Sequence, residues 1–196
     1  QLCTLAYLHT YNPPINLKIA SNITTLFCPI EMDRGNPISL KNNNKPVANA
    51  LARWQSASKN LFVWDYTVQF ANYMSPFPNL SYFEENYTTF KANNVKGLFV
   101  QGYADVPGDF SELRQYLLAK LLWDASIDVK ATTADFLRGF YGKAASEIEN
   151  YLKLLSENQK KSKAYLDIYS GPVQNRTTYL TPEAMNQYDK FLEKAW

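Results

Sequence analysis

The chain has 196 residues, enough for one sizeable hydrophobic core or for part of a larger one. Its 20 basic and 18 acidic residues give a formal net charge of +2, so no single-sign field is available to attract nucleic acid or anionic lipid. No stretch approaches the ~18 to 20 apolar residues that a membrane-spanning helix needs, and we therefore expect neither a nucleic-acid partner nor a membrane span in this chain.

Four short apolar runs in the first half of the chain are predicted to be strands. They are continuous rather than alternating, which is typical of strands buried on both faces of a parallel sheet. Helical spacing of apolar residues predicts two helices between them, over residues 46–58 and 80–93. Alternation of strand and helix predicts βαβ units and a parallel α/β architecture. The predicted strands cover residues 2–8, 23–28, 61–64 and 97–100.

The second half of the chain is predicted to be helical, and its first two helices have recognisable start signals. Asp109 precedes an apolar helical run that extends to Trp123, with Glu112 placed as in a capping box. Thr132 or Thr133 is predicted to cap a second helix.

Start and stop signals also divide the remainder of this helical half. Gly142 is expected to end the second helix, and residues 144–165 are predicted to form a third. The triplet at 181–183, Thr-Pro-Glu, predicts the start of a last helix because it places proline in the first turn. This helix extends to Trp196 with no stop signal, which we interpret as truncation inside a helical region.

The number of strands limits the fold of the first half. Four strands do not close a parallel barrel, because closure needs about eight. The first half is therefore either a small open sheet or half of a (β/α) barrel.

Trp64, Asp65 and Tyr66 stand where a buried strand is predicted to end. Enzymes built on parallel sheets place their chemistry at such ends. Aromatic faces stack on sugar rings, and a carboxylate bonds sugar hydroxyls or acts on a glycosidic oxygen. The alternative is that both aromatic residues belong to the core and that Asp65 caps the next segment.

Several motifs occur in a set order along the chain. They are Ala6-Tyr7 with Pro13-Pro14, the stretches 26–31, 62–67, 76–79, 97–102 and 112–123, Phe136-Leu137, and 140–142. Together they resemble a bacterial family described as a domain of unknown function, number 4838, which is similar to glycoside hydrolase barrels of the alpha-glucuronidase type. The resemblance covers residues 5–155.

The resemblance implies a fold and a cellular setting. It implies the C-terminal half of a (β/α)8 TIM-like barrel over residues 1–125, followed by an α-helical extension over 126–196. It also implies the remainder of a larger parent chain, in a secreted, periplasmic or cell-surface protein of polysaccharide-degrading bacteria. Two departures from the family pattern, Val100 before Gln101-Gly102 and the segment 32–37, indicate altered specificity or lost catalysis.

Two carboxyl groups are needed by most glycosidases, one to protonate the leaving oxygen and one to serve as base or nucleophile. Because strand ends share one face of a barrel, Asp65 and Glu31 are the predicted catalytic pair. For Glu31 the alternatives are a salt bridge to Arg34 or a loop cap. The predicted substrate-binding residues are Tyr66, Trp64, Tyr7, His9, Gln101 and Tyr103.

No cofactor or metal is expected. Cys3 and Cys28 lie in apolar strand-like runs, where cysteine behaves as a small hydrophobic residue. The chain has one histidine, and no Cys/His spacing resembles a zinc site.

Three functions are consistent with these residues. The first is a glycoside hydrolase, or part of one, that acts on polysaccharide or oligosaccharide. The second is a non-catalytic carbohydrate-binding domain that kept the aromatic residues and lost an acid. The third is an interaction module formed by the helical half. The expected ligand in the first two cases is a carbohydrate.

Overall fold

A computed structural model of the chain describes residues 2–196, and Gln1, the first residue of the predicted partial barrel, lies outside the described residues. The strands are β1 (Leu2–Ala6), β2 (Ile23–Phe27), β3 (Leu61–Tyr66) and β4 (Gly97–Gln101). The helices are α1 (Lys45–Ala57), α2 (Phe83–Ala92), α3 (Ser111–Trp123), α4 (Val129–Tyr141), α5 (Ala145–Ser162), α6 (Pro172–Asn175) and α7 (Pro182–Ala195).

The four strands form one parallel sheet whose spatial order, β1-β2-β3-β4, follows the order in the chain. The four predicted strands and the parallel α/β architecture are therefore confirmed, except that β1 ends at Ala6, before the predicted end at Leu8. The side chains of neighbouring strands align in rows, since Thr25 is in register with Leu61 and Trp64 with Phe99.

One face of the sheet packs against helices α1, α2 and α3. Phe27, Leu61 and Val63 point to this face and are fully buried beside Leu51 and Trp54 of α1. The side chains of β4 that point to the same face pack with residues of α2 and α3. We call this surface the helix face of the sheet.

The opposite face of the sheet is only partly covered. Leu5 and Phe99 point to it and are 47% and 52% exposed. The ring of Phe62 lies over Gly97, where an added Cβ would come within 2.5 Å of that ring. The prediction that the strands are buried on both faces is therefore wrong for this part of the sheet, because its second face is covered mainly at the carboxyl ends of the strands. We call this surface the open face.

Helices α5 and α7 pack against each other and against the carboxyl end of the open face. Tyr151 and Leu155 of α5 and Tyr188 of α7 share one hydrophobic cluster with Cys28 and Tyr66. The Tyr188 hydroxyl donates to the Tyr179 carbonyl at 2.8 Å, which satisfies a polar group inside that cluster. One core therefore joins residues on both sides of the predicted boundary at residue 125.

The start of α3 differs from the prediction. The residue that caps α3 is Phe110, at φ 49°, and its side chain makes no capping hydrogen bond. The Asp109 carboxylate instead accepts hydrogen bonds from Arg114 at 2.7 Å and from the Phe77 backbone at 3.2 Å. The predicted capping box with Glu112 is therefore wrong, because Asp109 has a buried arginine as its partner.

The boundaries of α4 and α7 follow from their caps. Asp128 caps α4 by accepting from the Ala131 backbone at 2.9 Å, so the predicted cap at Thr132 or its neighbour is wrong by about one turn. Gly142 ends α4 at φ 54°, as predicted. Thr181 caps α7 with proline in the first turn, also as predicted.

Cys28 and Cys3 differ in burial, which allows a chemical test of the fold. Burial raises the pKa of the Cys28 thiol to about 11, so about one thousandth of it is thiolate at pH 8. Cys3 is exposed. We expect iodoacetamide at pH 8 to label Cys3 at least ~10-fold faster than Cys28, measured by peptide mass spectrometry. In urea both thiols should react, and equal rates in the folded protein would contradict the burial of Cys28.

Candidate functional site

Five aromatic rings form a continuous row across the carboxyl end of the open face. Successive ring centroids are 4.6 Å apart for Phe99 and Trp64, and 6.2 Å for Trp64 and Tyr66. They are 6.2 Å apart for Tyr66 and Phe70, and 6.0 Å for Phe70 and Tyr169. Tyr66 is buried in the middle, while Phe99 and Tyr169 at the two ends are 52% and 61% exposed. We call this set the aromatic row.

The two-residue period of a strand explains why these rings meet. Trp64 and Tyr66 are two residues apart in β3 and point to the same face, and Phe99 of β4 is in register with Trp64. Gln101 is in register with Tyr66, and its Oε1 accepts a hydrogen bond from Trp64 Nε1 at 3.0 Å. This bond fixes the orientation of the indole ring.

Asp65 lies between these two aromatic residues in sequence and points to the helix face. Its Oδ1 accepts from Arg34 Nη1 at 2.6 Å and from the Tyr66 backbone at 2.9 Å. The Asp65 and Arg34 side chains are 4% and 2% exposed. Burial raises the pKa of Tyr87 on α2, and the charge of Asp65 adds to that shift. The carboxylate of Asp65 is therefore engaged in an ion pair near α2, on the face opposite to the aromatic row.

Arg34 connects the segment after β2 with the end of β3. Its Nη2 donates to the Pro29 carbonyl at 2.7 Å, and its guanidinium carbon lies 5.7 Å from the centroid of the Tyr66 ring. Within residues 2–196 the ion pair of Arg34 is formed with Asp65. The alternative salt bridge between Glu31 and Arg34 is therefore not present in this structure.

Glu31, the other predicted catalytic acid, is exposed in the loop that follows β2. Its backbone carbonyl accepts a hydrogen bond from the Tyr165 hydroxyl at 2.6 Å. Burial raises the pKa of Tyr169, and nearby Tyr7, Asp167 and Glu31 raise it further. Glu31 thus lies near the Tyr169 end of the aromatic row.

The remaining predicted site residues have three different placements. Tyr7, just after β1, is half-buried and packs against the hydrophobic cluster that contains Tyr66. His9 is exposed in the single turn Leu8–Thr10. Tyr103 is buried against Tyr73, and its ring lies 2.6 Å from the position of a Cβ on Gly108. The structure therefore groups Tyr7 with the row and places Tyr103 inside a loop.

A segment between two helices of the helical half crosses the carboxyl ends of β2 and β3. We call residues 163–171 the strap. The Arg34 backbone donates to the Leu166 carbonyl at 3.0 Å, and the Phe70 backbone donates to the Ile168 carbonyl at 2.6 Å. The Leu166 backbone donates to Asp33 Oδ1 at 3.0 Å. These bonds attach the strap to the loops that follow both strands.

Sequence reasoning missed the strap because residues 144–165 were predicted to be one helix. The helix ends at Ser162, and Lys163 at φ 55° turns the chain out of it. A signal was present in the sequence, since apolar residues alternate with polar or tyrosine residues from Ala164 to Tyr169. Ala164, Leu166 and Ile168 are buried in the structure.

Asp33 holds this arrangement together from inside. It is fully buried, and its two carboxylate oxygens accept four hydrogen bonds of 2.7 to 3.0 Å. The donors are the backbones of Gly35 and Leu166 and the side chains of Asn36 and Asn43. Asp33 therefore stabilises the loop after β2 and the strap.

The structure also has a groove of about 540 Å³ between α4, α5 and the segment that leads into α2. Leu80, Val129 and Leu137 contribute to its apolar lining, and both lysine and glutamate side chains surround it. This groove includes none of the predicted catalytic or substrate-binding residues, and its mixed charges favour no class of ligand.

Residues 2–196 contain no group of three or more histidine, cysteine, aspartate or glutamate side chains arranged to hold a metal ion. In the same range, no helix combines the length and the apolar composition needed to cross a membrane.

The fold and the site define an α/β protein with a parallel sheet and an aromatic row at its carboxyl edge. The chain belongs to the family described as Domain of unknown function (DUF4838), whose model matches residues 1–153. No curated protein and no solved structure matches the chain.

Proposed function

We propose that the aromatic row binds carbohydrate and that the chain is the ligand-binding part of a glycoside-hydrolase-like domain. The observation that supports this most is the row itself, with its exposed rings at both ends and Gln101 beside it. Flat aromatic faces provide large rigid contact areas for sugar rings, and neighbouring amide and carboxylate groups bond the hydroxyls.

We propose further that the sheet is half of a (β/α)8 barrel. The strand order follows the chain, and α1 to α3 pack on one face, as in successive units of such a barrel. The partly exposed Leu5 points to the face that would line the barrel interior. Further units of a longer parent chain would cover the part of this face around Leu5 and Cys3, while the aromatic row at the carboxyl ends of the strands would stay open to ligand. Slower alkylation of Cys3 in that longer protein would support closure, and an unchanged rate would contradict it.

Hydrolysis is the second candidate, and Glu31 is the observation that favours it. Its carboxylate is exposed at a strand end near the aromatic row, as a glycosidase acid or base requires. Asp65, its predicted partner, is paired with Arg34 on the helix face. Binding is therefore supported more directly than catalysis, and the catalytic roles of Asp65 and Glu31 remain predictions.

The setting follows from the same proposal. Polysaccharides supplied from outside are too large to enter a bacterial cell intact, so a protein that binds or cleaves them is exported. We therefore propose a secreted, periplasmic or cell-surface location, and fractionation of the producing cells tests it. Recovery of the protein from the cytoplasm alone would contradict this location.

Trp64→Ala in the full-length protein is expected to weaken oligosaccharide binding by about tenfold, since it removes one stacking surface worth about 1.5 kcal/mol. Calorimetric titration with soluble xylo-, cello- and manno-oligosaccharides measures this change. Trp123→Ala is the matched control, because Trp123 is 94% exposed at the end of α3 and outside the row. Equal loss of affinity in both variants, or no binding by the unmodified protein, would contradict the proposal.

Glu31→Gln separates hydrolysis from binding. If the protein is a hydrolase that uses Glu31, this variant should release at least ~100-fold less reducing sugar while it still binds the oligosaccharide. Binding without any sugar release by the unmodified protein would identify a non-catalytic binding domain. Unchanged release by Glu31→Gln would exclude the catalytic role of Glu31.

A further inference from the structure

We infer that the strap supplies a separate sugar-binding platform, formed by Tyr169 and supported by Phe70, and that this platform takes a neutral pyranose unit. The inference rests on the proposed carbohydrate-binding function and names one subsite within it. Tyr169 lies far from the predicted strand-end residues in sequence and was not among the predicted site residues.

The exposure of Tyr169 is unusual for this protein. Of its 14 tyrosines, Tyr165 and Tyr169 are the two whose side chains are exposed. Both lie on the strap, where the intervening Leu166 and Ile168 are buried. The Tyr165 hydroxyl is used in the hydrogen bond to the Glu31 carbonyl. Tyr169 instead presents a 61% exposed ring at the end of the aromatic row.

The Tyr169 ring rests against Phe70, and hydrogen bonds fix the backbone on which it is carried. Phe70 contacts it edge to face, with ring centroids 6.0 Å apart and an interplanar angle of 78°. The Tyr169 backbone donates to Asp167 Oδ1 at 2.7 Å, and the Gln69 side chain donates to the Ser170 carbonyl. A ring positioned before the ligand arrives loses little conformational entropy on binding, which favours affinity.

The charges around this ring favour a neutral ligand. Glu31 is exposed and Asp167 is half-buried, and both act electrostatically on Tyr169. The buried Arg34, whose backbone bonds the strap at Leu166, is paired with Asp65. Two carboxylates beside the platform would accept hydrogen bonds from sugar hydroxyls and repel the carboxylate of a uronic acid. The ligand that these charges favour is therefore a neutral pyranose.

The platform also explains why the row is buried in its middle and exposed at its ends. Tyr66 is 6% exposed, so a ligand contacts mainly the rings on either side of it. Phe99 with Trp64 forms one contact surface and Tyr169 with Phe70 forms the other. A ligand that reaches both surfaces has more than one sugar unit, so oligosaccharides are the appropriate probes.

Tyr169→Ala in the full-length protein tests the inference by calorimetric titration with xylohexaose, cellohexaose, mannohexaose and hexagalacturonate. We expect about tenfold weaker binding of whichever neutral hexasaccharide binds, since one stacking surface is lost. Tyr169→Phe should stay within about threefold of the unmodified protein, because the ring remains. Phe140→Ala is the matched control, since Phe140 is 55% exposed on α4 and outside the row.

The outcomes separate this inference from the proposed function. Weaker binding by Trp64→Ala together with unchanged binding by Tyr169→Ala would overturn the platform and leave the function standing. Tighter binding of hexagalacturonate than of every neutral hexasaccharide would overturn the preference for neutral sugars. No binding of any of the four probes by the unmodified protein would overturn both. If Tyr169→Phe and Tyr169→Ala unfold at the same temperature on heating, any loss of binding affinity is a local effect of the missing ring.

Discussion

Asp65→Ala is expected to lower the free energy of unfolding by about 3 to 5 kcal/mol. The substitution leaves the Arg34 guanidinium buried without its counter-charge, and Arg34 is 3% exposed. Removing one partner of a buried ion pair costs far more free energy than the intact pair contributes, because the remaining charge is buried without a counter-charge or water. Urea denaturation followed by circular dichroism measures the change, with the m-value compared between proteins.

Arg138→Ala is the matched control for this ion-pair variant. Arg138 pairs with Asp135 at 3.3 Å, but both side chains are 68% exposed, so its removal should change stability by no more than about 0.5 kcal/mol. The double variant Arg34→Met, Asp65→Leu should recover much of the loss, since no buried charge remains. A loss below about 1 kcal/mol for Asp65→Ala would show that the ion pair does not form in solution.

The second large effect is expected at Arg114, whose replacement by methionine should cost about 3 to 5 kcal/mol. All five N–H groups of its guanidinium are used. Nε donates to the Asp109 carbonyl at 2.7 Å, and Nη2 donates to the Phe77 carbonyl at 2.5 Å and to Asp109 Oδ2 at 2.7 Å. Nη1 donates to the Thr67 carbonyl at 3.4 Å and to Asn79 Oδ1. Arg114 therefore connects the loop after β3 with the start of α3.

Methionine retains much of the volume of arginine, so the loss reports the hydrogen bonds and the ion pair rather than a cavity. Lys120→Met provides the comparison, because Lys120 is exposed on the same helix and should tolerate the same replacement within about 0.5 kcal/mol. Arg114→Lys should also be strongly destabilising, since an ammonium group has three N–H donors and does not reach the five acceptor atoms around the planar guanidinium. Comparable stability of Arg114→Met and the unmodified protein would contradict the observed network.

The sheet could be predicted because its strands are short apolar runs separated by helical patterns, and local spacing determines both. The placement of Trp64 and Tyr66 on one face was equally predictable from the two-residue period. The same period places Asp65 on the other face, which is why the predicted grouping of Asp65 with its aromatic neighbours is wrong about the direction of its side chain. A carboxylate in the middle of three consecutive strand residues points away from the side chains on either side of it.

Other parts of the site could not be predicted because they depend on contacts between distant residues. The strap binds the loop after β2 through Asp33 and Leu166, which are 133 residues apart. Nothing local to Arg34 indicates that its partner is Asp65, 31 residues further along the chain. Phe70 and Tyr169 become a pair only when the helical half packs against the sheet.

The strap has a practical consequence for anyone who prepares this domain in isolation. The family match ends at residue 153, inside α5, which continues to Ser162. A recombinant protein cut there would contain every strand and both predicted catalytic acids, yet it would lack Tyr169 and leave the Asp33 carboxylate without the Leu166 backbone donor. Weak binding by such a truncation would reflect the loss of the strap and of Tyr169 and would not test the residues that remain, so expression boundaries belong after Ser170 and α7.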